Sequence, residues 1–333
     1  MRRLLPAALI FLAIGPVPGT HQRFPEIDLT ERVVAHPLHF RASGNGTLRF
    51  VRGWHLTSPH SHFGGFSGIA RIGPDRFQLV GDNGYWTRLT LTPDGRVRDL
   101  AIASLPTPEG RPRRKSMIDA EAMIVDPESG KTWISFEVIN QVWRFDAALT
   151  QVESRYSSPA LRRWPVTAGP EAMVRLPSGQ TILFSENADD DPRGTEALLY
   201  DKDPAAPGSA PVLFYYDAGG KGLVSDAAVL PDGRILLVHR RLGFDPVFTT
   251  ILGLVDPADI GAGKVVRSRT IGRVPKPLAD NYEGAAVSVE GGRTFLWLVS
   301  DDNFNLWQRS LLLQFELVDL PPRKTPDSKK AAR

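Results

Sequence analysis

The chain of 333 residues is 42% apolar and carries 30 glycines and 28 prolines, the make-up of a turn-rich globular protein rather than a fibrous or disordered one. It has no cysteine, which excludes a disulfide framework, a thiolate nucleophile and a cysteine zinc site. The net charge of +3 belongs to the ends. With Arg2, Arg3 and the tail from Arg323 set aside, 33 basic residues face 36 acidic ones, so no nucleic-acid partner is expected of the folded part.

The first residues, MRRLLPAALIFLAIGPVPG, read as a secretory signal: Arg2 and Arg3, an apolar run Leu4–Ile14, then a small-residue cleavage zone. The apolar run falls short of the ~20 residues that span a bilayer. Residues 1–20 are therefore expected to be removed, giving a periplasmic or secreted protein with no stable membrane insertion. The paired arginines also fit twin-arginine export, but the general route is favoured. Residues 21–47 form a lead-in, 48–320 a single domain, and 321–333 a disordered basic tail.

Five segments within 48–320 share one grammar: a small or acidic residue, an apolar strand, a Pro/Asp/Gly turn, and a second apolar strand ending in a polar cluster. They are Ser67–Asn83, Glu121–Glu137, Glu171–Asn187, Asp226–Arg241 and the stretch from Glu283 through Asp301 and Asp302. A period of ~50 residues, with room for two further strands per unit, predicts propeller blades. In the first unit these extra strands are Trp86–Leu91 and Val97–Ser104. In the second they are Val142–Phe145 and Gln151–Tyr156. The last unit runs out of chain after Ser310–Leu317, while Leu48–Thr57 precedes the first unit without a blade of its own. The expected fold is an all-β, single β-propeller of five blades, closed by that N-terminal strand. The run Arg32–Phe40 keeps a count of six open.

Because the first two strands of a blade are antiparallel, the start of one lies beside the end of the other. Glu121 is expected near Glu137, Glu171 near Glu186, Glu283 near Asp301 and Asp302, Ser67 near Asp82, and Asp226 near His239 and Arg240. These pairs would ring one mouth of the channel. So many carboxylates in one place must protonate, spread into water or meet cations. With Asn83, Asn187 and Asn303 they form an all-oxygen donor set suited to Ca²⁺, or Mg²⁺, rather than zinc. The expected ligands are Asp82, Glu121, Glu137, Glu186, Asp301 and Asp302. Glu171 or Glu283 would act as general base, with His239 a further catalytic candidate. Arg240 and Arg241, and less directly Arg309 and Lys115, would hold an anionic group of the substrate. The alternative for His239, Arg240 and Arg241 is an internal salt bridge to neighbouring acids. His60 and His62 offer a possible metal pair, and Gly64-Gly65 a tight turn into the first blade. The Trp and Phe residues of the second strands are expected to be core between blades, while Trp307, just past the acidic cluster, could face a ligand as the less favoured reading.

At these residues the chain resembles the secreted phytase-like domain proteins, described as having esterase-like activity within the phytase family. The resemblance is carried by FGGFSGI at Phe63–Ile69, the recurring EA-M strand starts, the acid-ended second strands and SDDNFNLWQRSLLLQFEL at Ser300–Leu317. It spans Gly53 to Leu317 and implies a β-propeller with hydrolase activity assigned to Asp and Glu residues, on the pattern of calcium-dependent propeller phytases. Segment four departs from that pattern, with His239-Arg240-Arg241 in place of an acid. The expectation is a monomeric, exported, metal-dependent hydrolase of small anionic phosphate esters or related esters. The alternatives are a non-catalytic calcium-containing propeller that binds a sugar, peptide or partner protein, and a lactonase-like hydrolase of neutral esters.

Overall fold

The computed structural model describes residues 26–40, 46–108, 117–186 and 191–323, so the expected signal and the tail beyond Arg323 lie outside the described residues. Two strands, β1 (Val34–Pro37) and β2 (Leu48–Thr57), precede the first blade. Blade one is β3 (Phe66–Gly73), β4 (Arg76–Gly81), β5 (Tyr85–Leu91) and β6 (Val97–Ser104). Blade two is β7 (Ala120–Val125), β8 (Thr132–Phe136), β9 (Gln141–Phe145) and β10 (Val152–Tyr156). Blade three holds β11 (Pro170–Arg175), β12 (Thr181–Ser185), β13 (Thr195–Tyr200) and β14 (Val212–Asp217). Blade four starts with β15 (Leu223–Val229), β16 (Ile235–Leu242) and β17 (Phe248–Val255). The chain next lays β18 (Val265–Arg267) parallel to β14, on the outer edge of blade three, and returns as β19 (Arg269–Arg273) to finish blade four. Blade five is β20 (Tyr282–Glu290), β21 (Arg293–Ser300) and β22 (Ser310–Leu317).

The N-terminal strand closes the ring. β2 pairs antiparallel with β22, with Trp54 opposite Leu312 and Leu56 opposite Ser310. The run that kept a sixth blade open becomes β1, which pairs with β2 at the outside of blade five. The fold is a five-bladed propeller. Every blade has the same reason to exist: short strands of alternating apolar residues, separated by turns, that bury both faces only by stacking on neighbours.

The core accordingly lies in five layers between blades. Trp54, Phe77, Trp297 and Leu312 fill the junction of blades five and one. Phe136, Trp143 and Val80 fill the next, and Trp133, Trp164 and Tyr200 the one between blades two and three. Phe184, Phe214 and Tyr216 pack between three and four, and Leu236, Leu298, Leu313 and Phe315 between four and five. The second-strand aromatics are core, as their apolar neighbours predict.

Candidate functional site

Each blade's inner strand breaks register with its partner at the same place. The shift falls between Phe66 and Gly68, Ala120 and Ala122, Pro170 and Ala172, Val224 and Asp226, and Tyr282 and Gly284. A β-bulge re-aims the side chain it carries. The five bulged residues are thus Ser67, Glu121, Glu171, Ser225 and Glu283. In blade four the residue equivalent to the glutamates is Ser225 and not Asp226. Asp226 faces away from the mouth, where its buried carboxylate accepts from the backbone N–H of Ala227 at 2.8 Å and from that of Ala285, in blade five, at 2.6 Å. Burial holds its carboxyl well above the usual range despite those two bonds.

At the end of the propeller where the bulges lie, a cavity of about 510 Å³ opens. Its carboxylates are Asp82, Asp119, Glu121, Glu171, Glu186, Glu283 and Asp301, and Arg240, Arg241 and Asn281 lie among them. Nothing in the sequence singles out Asp119 or Asn281. They stand two positions before bulged Glu121 and Glu283, as Leu223, also in the lining, stands before Ser225. Carboxylate oxygens of Asp119, Glu121 and Glu137 lie within 4.8 Å of one another.

Arg240 crosses the mouth. Its Nη2 donates to Glu186 Oε1 at 2.8 Å, and its Nη1 donates to Asn281 Oδ1 at 3.0 Å and to Glu283 Oε1. One guanidinium from blade four thereby ties the acids of blades three and five, the internal salt bridge that stands as the alternative to anion binding. Those carboxylates hold it more basic still than an ordinary arginine, against the effect of burial. Asn281 Nδ2 donates in turn to Glu283 Oε1 at 2.9 Å and to Asp301 Oδ2 at 3.3 Å.

Glu121, Glu137, Glu171 and Asp301 make no hydrogen bond to that guanidinium, and their carboxyls are raised. Burial and then the charge of Glu171 push Glu121 well above the usual range. Burial and Glu186 do the same to Glu171, and burial, Glu283 and Asp82 to Asp301. Glu137 is raised to about 7, by burial and then by Asp119. Glu283 is raised less decisively, since Arg240 opposes its burial.

Several candidates stand elsewhere. Asp302 is fully buried, accepting from Gly65 N at 3.0 Å, Phe304 N at 3.2 Å and Ser310 Oγ at 2.9 Å. Its carboxylate ties blade five to the approach to blade one, where Gly64 and Gly65 have φ of +129° and +61°. A Cβ at Gly64 would sit 2.6 Å from Asp302 Oδ1, so the double glycine is required there. His239 is 0% exposed and faces the layer between blades three and four. Its Nδ1 lies 3.0 Å from Ile251 O, and its Nε2 2.5 Å from Tyr216 Oη, itself 2.6 Å from Ser268 Oγ. Strand alternation explains why His239 turns inward while Arg240 reaches the mouth. Burial lowers the His239 pKa to about 4, which keeps it neutral. Arg309 pairs with Asp280 at 2.9 Å, away from the cavity lining. The His62 ring stacks on Tyr85 with centroids 3.9 Å apart, and His60 Nδ1 accepts from His62 N. Lys115 and Asn187 lie outside the described residues.

The sequence model of the family described as "Phytase-like: Esterase-like activity of phytase" matches residues 61–304. None of the curated proteins matches the chain. Among solved structures, the chain is similar to the Kuenenia stuttgartiensis hydrazine synthase at 13% identity and TM-score 0.39, covering 74% of this chain but only 59% of that one. It is also similar to the PQQ-bound aldose sugar dehydrogenase of Streptomyces coelicolor, at 15% identity and TM-score 0.44, over 87% of this chain and 99% of that one. A luciferin-regenerating enzyme is similar at 9% identity and TM-score 0.42, over 81% and 95%.

Proposed function

From the premise that this chain belongs to the phytase-like family described as having the esterase-like activity of phytase, we propose that it is an exported, metal-dependent hydrolase of phosphate esters or related esters. The observation that carries the reading is the convergence of seven carboxylates from blades one, two, three and five on one cavity, two of which, Asp119 and Glu121, cluster with Glu137. Carboxylates raised first by burial and then by one another's charge are what a hard divalent cation relieves, and the donor set is all oxygen, which fits Ca²⁺. Asp119, Glu121 and Glu137 would hold the cation. When bound, it would polarise a phosphoryl or carbonyl oxygen and favour ionisation of water.

The chain's own residues supply the rest. Glu283 is committed to Arg240 and Asn281, which leaves Glu171 as the proton carrier. Burial and the charge of Glu186 raise its carboxyl, so it holds a proton to higher pH than an ordinary glutamate. Arg240 keeps Glu186 and Glu283 apart from the reacting group and fixes the shape of the mouth. Arg241 lines the cavity, is exposed, and makes no ion pair among the described residues, so it is the guanidinium left to meet a substrate anion.

The test is a hydrolysis screen of the purified protein on phosphomonoesters, carboxyl esters and lactones, with calcium and after chelation. Turnover that needs calcium and is lost in Glu171→Gln is expected. Calcium binding without turnover of any ester would instead favour a non-catalytic binding propeller.

A further inference from the structure

The loops that flank the acidic cavity carry large apolar side chains in water. Leu242 and Asn303 both line it. Two residues past Leu242, Phe244 is 80% exposed, and three past Asn303 come Leu306 at 70% and Trp307 at 52%. These are not floppy tips that could fold their apolar groups away. Asn305 N donates to Asp302 O at 2.7 Å, Asn305 Nδ2 donates to Gln308 Oε1 at 3.0 Å, and Ser300 Oγ donates to Arg309 O at 2.5 Å. On the other side, Gly243 N donates to Val247 O at 2.8 Å. Apolar area held out in water is unfavourable, and a ligand that covers it removes that cost.

Charge sets a second condition. Seven carboxylates line the cavity against two guanidiniums, Arg240 is already taken by Glu186 and Glu283, and one calcium on Asp119, Glu121 and Glu137 would add two positive charges that those acids themselves offset. Among the described lining residues, only Arg241 is left for an incoming anion. Each phosphate monoester brings about −1.5 to −2 charges at neutral pH, so a polyol bearing several of them would face far more negative than positive charge. One anionic group, or none, suits the site.

We infer that the mouth takes an aryl or alkyl ester carrying no more than one anionic group, with its apolar part resting on Phe244, Leu306 and Trp307, and that polyphosphorylated polyols are not its substrates. This rests on the hydrolase reading of the same cavity and narrows it. Trp307 and Phe244 act here as specificity residues and touch only the apolar part of the substrate.

The experiment compares calcium-loaded wild type with the double variant Phe244→Ala, Trp307→Ala on matched esters: 1-naphthyl and ethyl phosphate, 1-naphthyl and ethyl acetate, and inositol hexakisphosphate. Wild type is expected to prefer the naphthyl member of each pair, and the double variant to lower the naphthyl-to-ethyl ratio of kcat/KM about tenfold, through KM. Both changes lie at exposed positions, and Val289→Ser, exposed at the opposite end, serves as the control that leaves the ratio alone. Inositol hexakisphosphate as the best substrate would overturn the inference while leaving the hydrolase reading intact, and so would a ratio unchanged in the double variant. If no ester is turned over, the hydrolase reading fails. The inference is then decided by equilibrium dialysis of 1-naphthyl phosphate: retention by wild type and loss in the double variant sustain it, and equal retention or none overturns it.

Discussion

At the scale of single residues, the site is a set of carboxylates sorted by whether a guanidinium reaches them. Glu283 and Glu186 are hydrogen-bonded to Arg240, Glu171 feels its charge without a hydrogen bond, and Glu121 and Glu137 are crowded by other acids. Truncating one partner of a buried ion network leaves uncompensated charge and costs about 3–5 kcal/mol. Arg240→Ala is therefore expected to lower stability by that order in urea unfolding, with Arg240→Lys intermediate because an ammonium cannot fork to two acids. Arg241→Ala, at an exposed position without an ion pair among the described residues, should change the unfolding midpoint little. Equal losses in the two alanine variants would show that the Arg240 bridge carries no special weight. The glutamates Glu121, Glu171 and Glu283 are legible in the sequence because they recur at the head of a repeated strand. Asp119 and Asn281 are not, since they precede the repeat and are brought to the mouth only by alternation past a bulge. The same bulge, which leaves no mark in the order of residue types, puts Ser225 where the sequence repeat places Asp226.

At the scale of elements, the loop from Asp301 to Arg309 does two jobs with neighbouring acids. Asp301 lines the cavity, while Asp302 turns away and accepts three hydrogen bonds that join blade five to the glycine turn before blade one. Hydrogen bonds to a charged group contribute about 1.5–3 kcal/mol each, so Asp302→Ala should destabilise by about 3 kcal/mol or more. Asp301→Asn should stabilise the metal-free protein, because it removes a carboxylate that is buried and crowded by Glu283 and Asp82. Thermal melts of the two variants in chelator should thus move in opposite directions, and a parallel fall would mean that both acids are structural. In sequence the pair look like equivalent ligands because both end the same apolar strand. Strand limits are otherwise legible wherever a turn of Gly, Pro or Asp closes them, as at β5 and β6. The parallel strand β18 is not, since it pairs with a blade not its own and no local turn announces a long-range parallel partner.

At the scale of the whole molecule, the five blades can be counted along the chain because each unit repeats the same hairpin. The closing strand can be assigned because one unit lacks a strand and one strand lacks a unit. What closure does electrostatically follows from the ring it creates. Glu121, Glu171 and Asp301 have carboxyls raised well above the usual range in the folded protein, and Glu137 is raised to about 7, while an unfolded chain returns them all to ordinary values. Between the unfolded value and the folded one, the native state holds more protons than the unfolded state, so stability falls as pH rises. The contribution of Glu137 is fully present below about pH 4.5 and is lost as the pH passes about 7. Metal-free protein should therefore melt at a lower temperature at pH 8 than at pH 5. A cation on Asp119, Glu121 and Glu137 favours the ionised forms, so calcium should raise the melting temperature more at pH 8 than at pH 5 and release protons as it binds. Binding to the native state alone adds about 2.7 kcal/mol when the free ion is a hundred times its Kd. Calorimetric titration with calcium in two buffers of different ionisation enthalpy measures the proton release directly. Glu121→Gln should weaken the calcium response and flatten the pH dependence together, because the carboxylate that repels its neighbours is also the one that the ion would neutralise. A melting curve at pH 8 that millimolar calcium leaves unmoved would remove the cation from the mouth and leave the acids as a proton-holding ring.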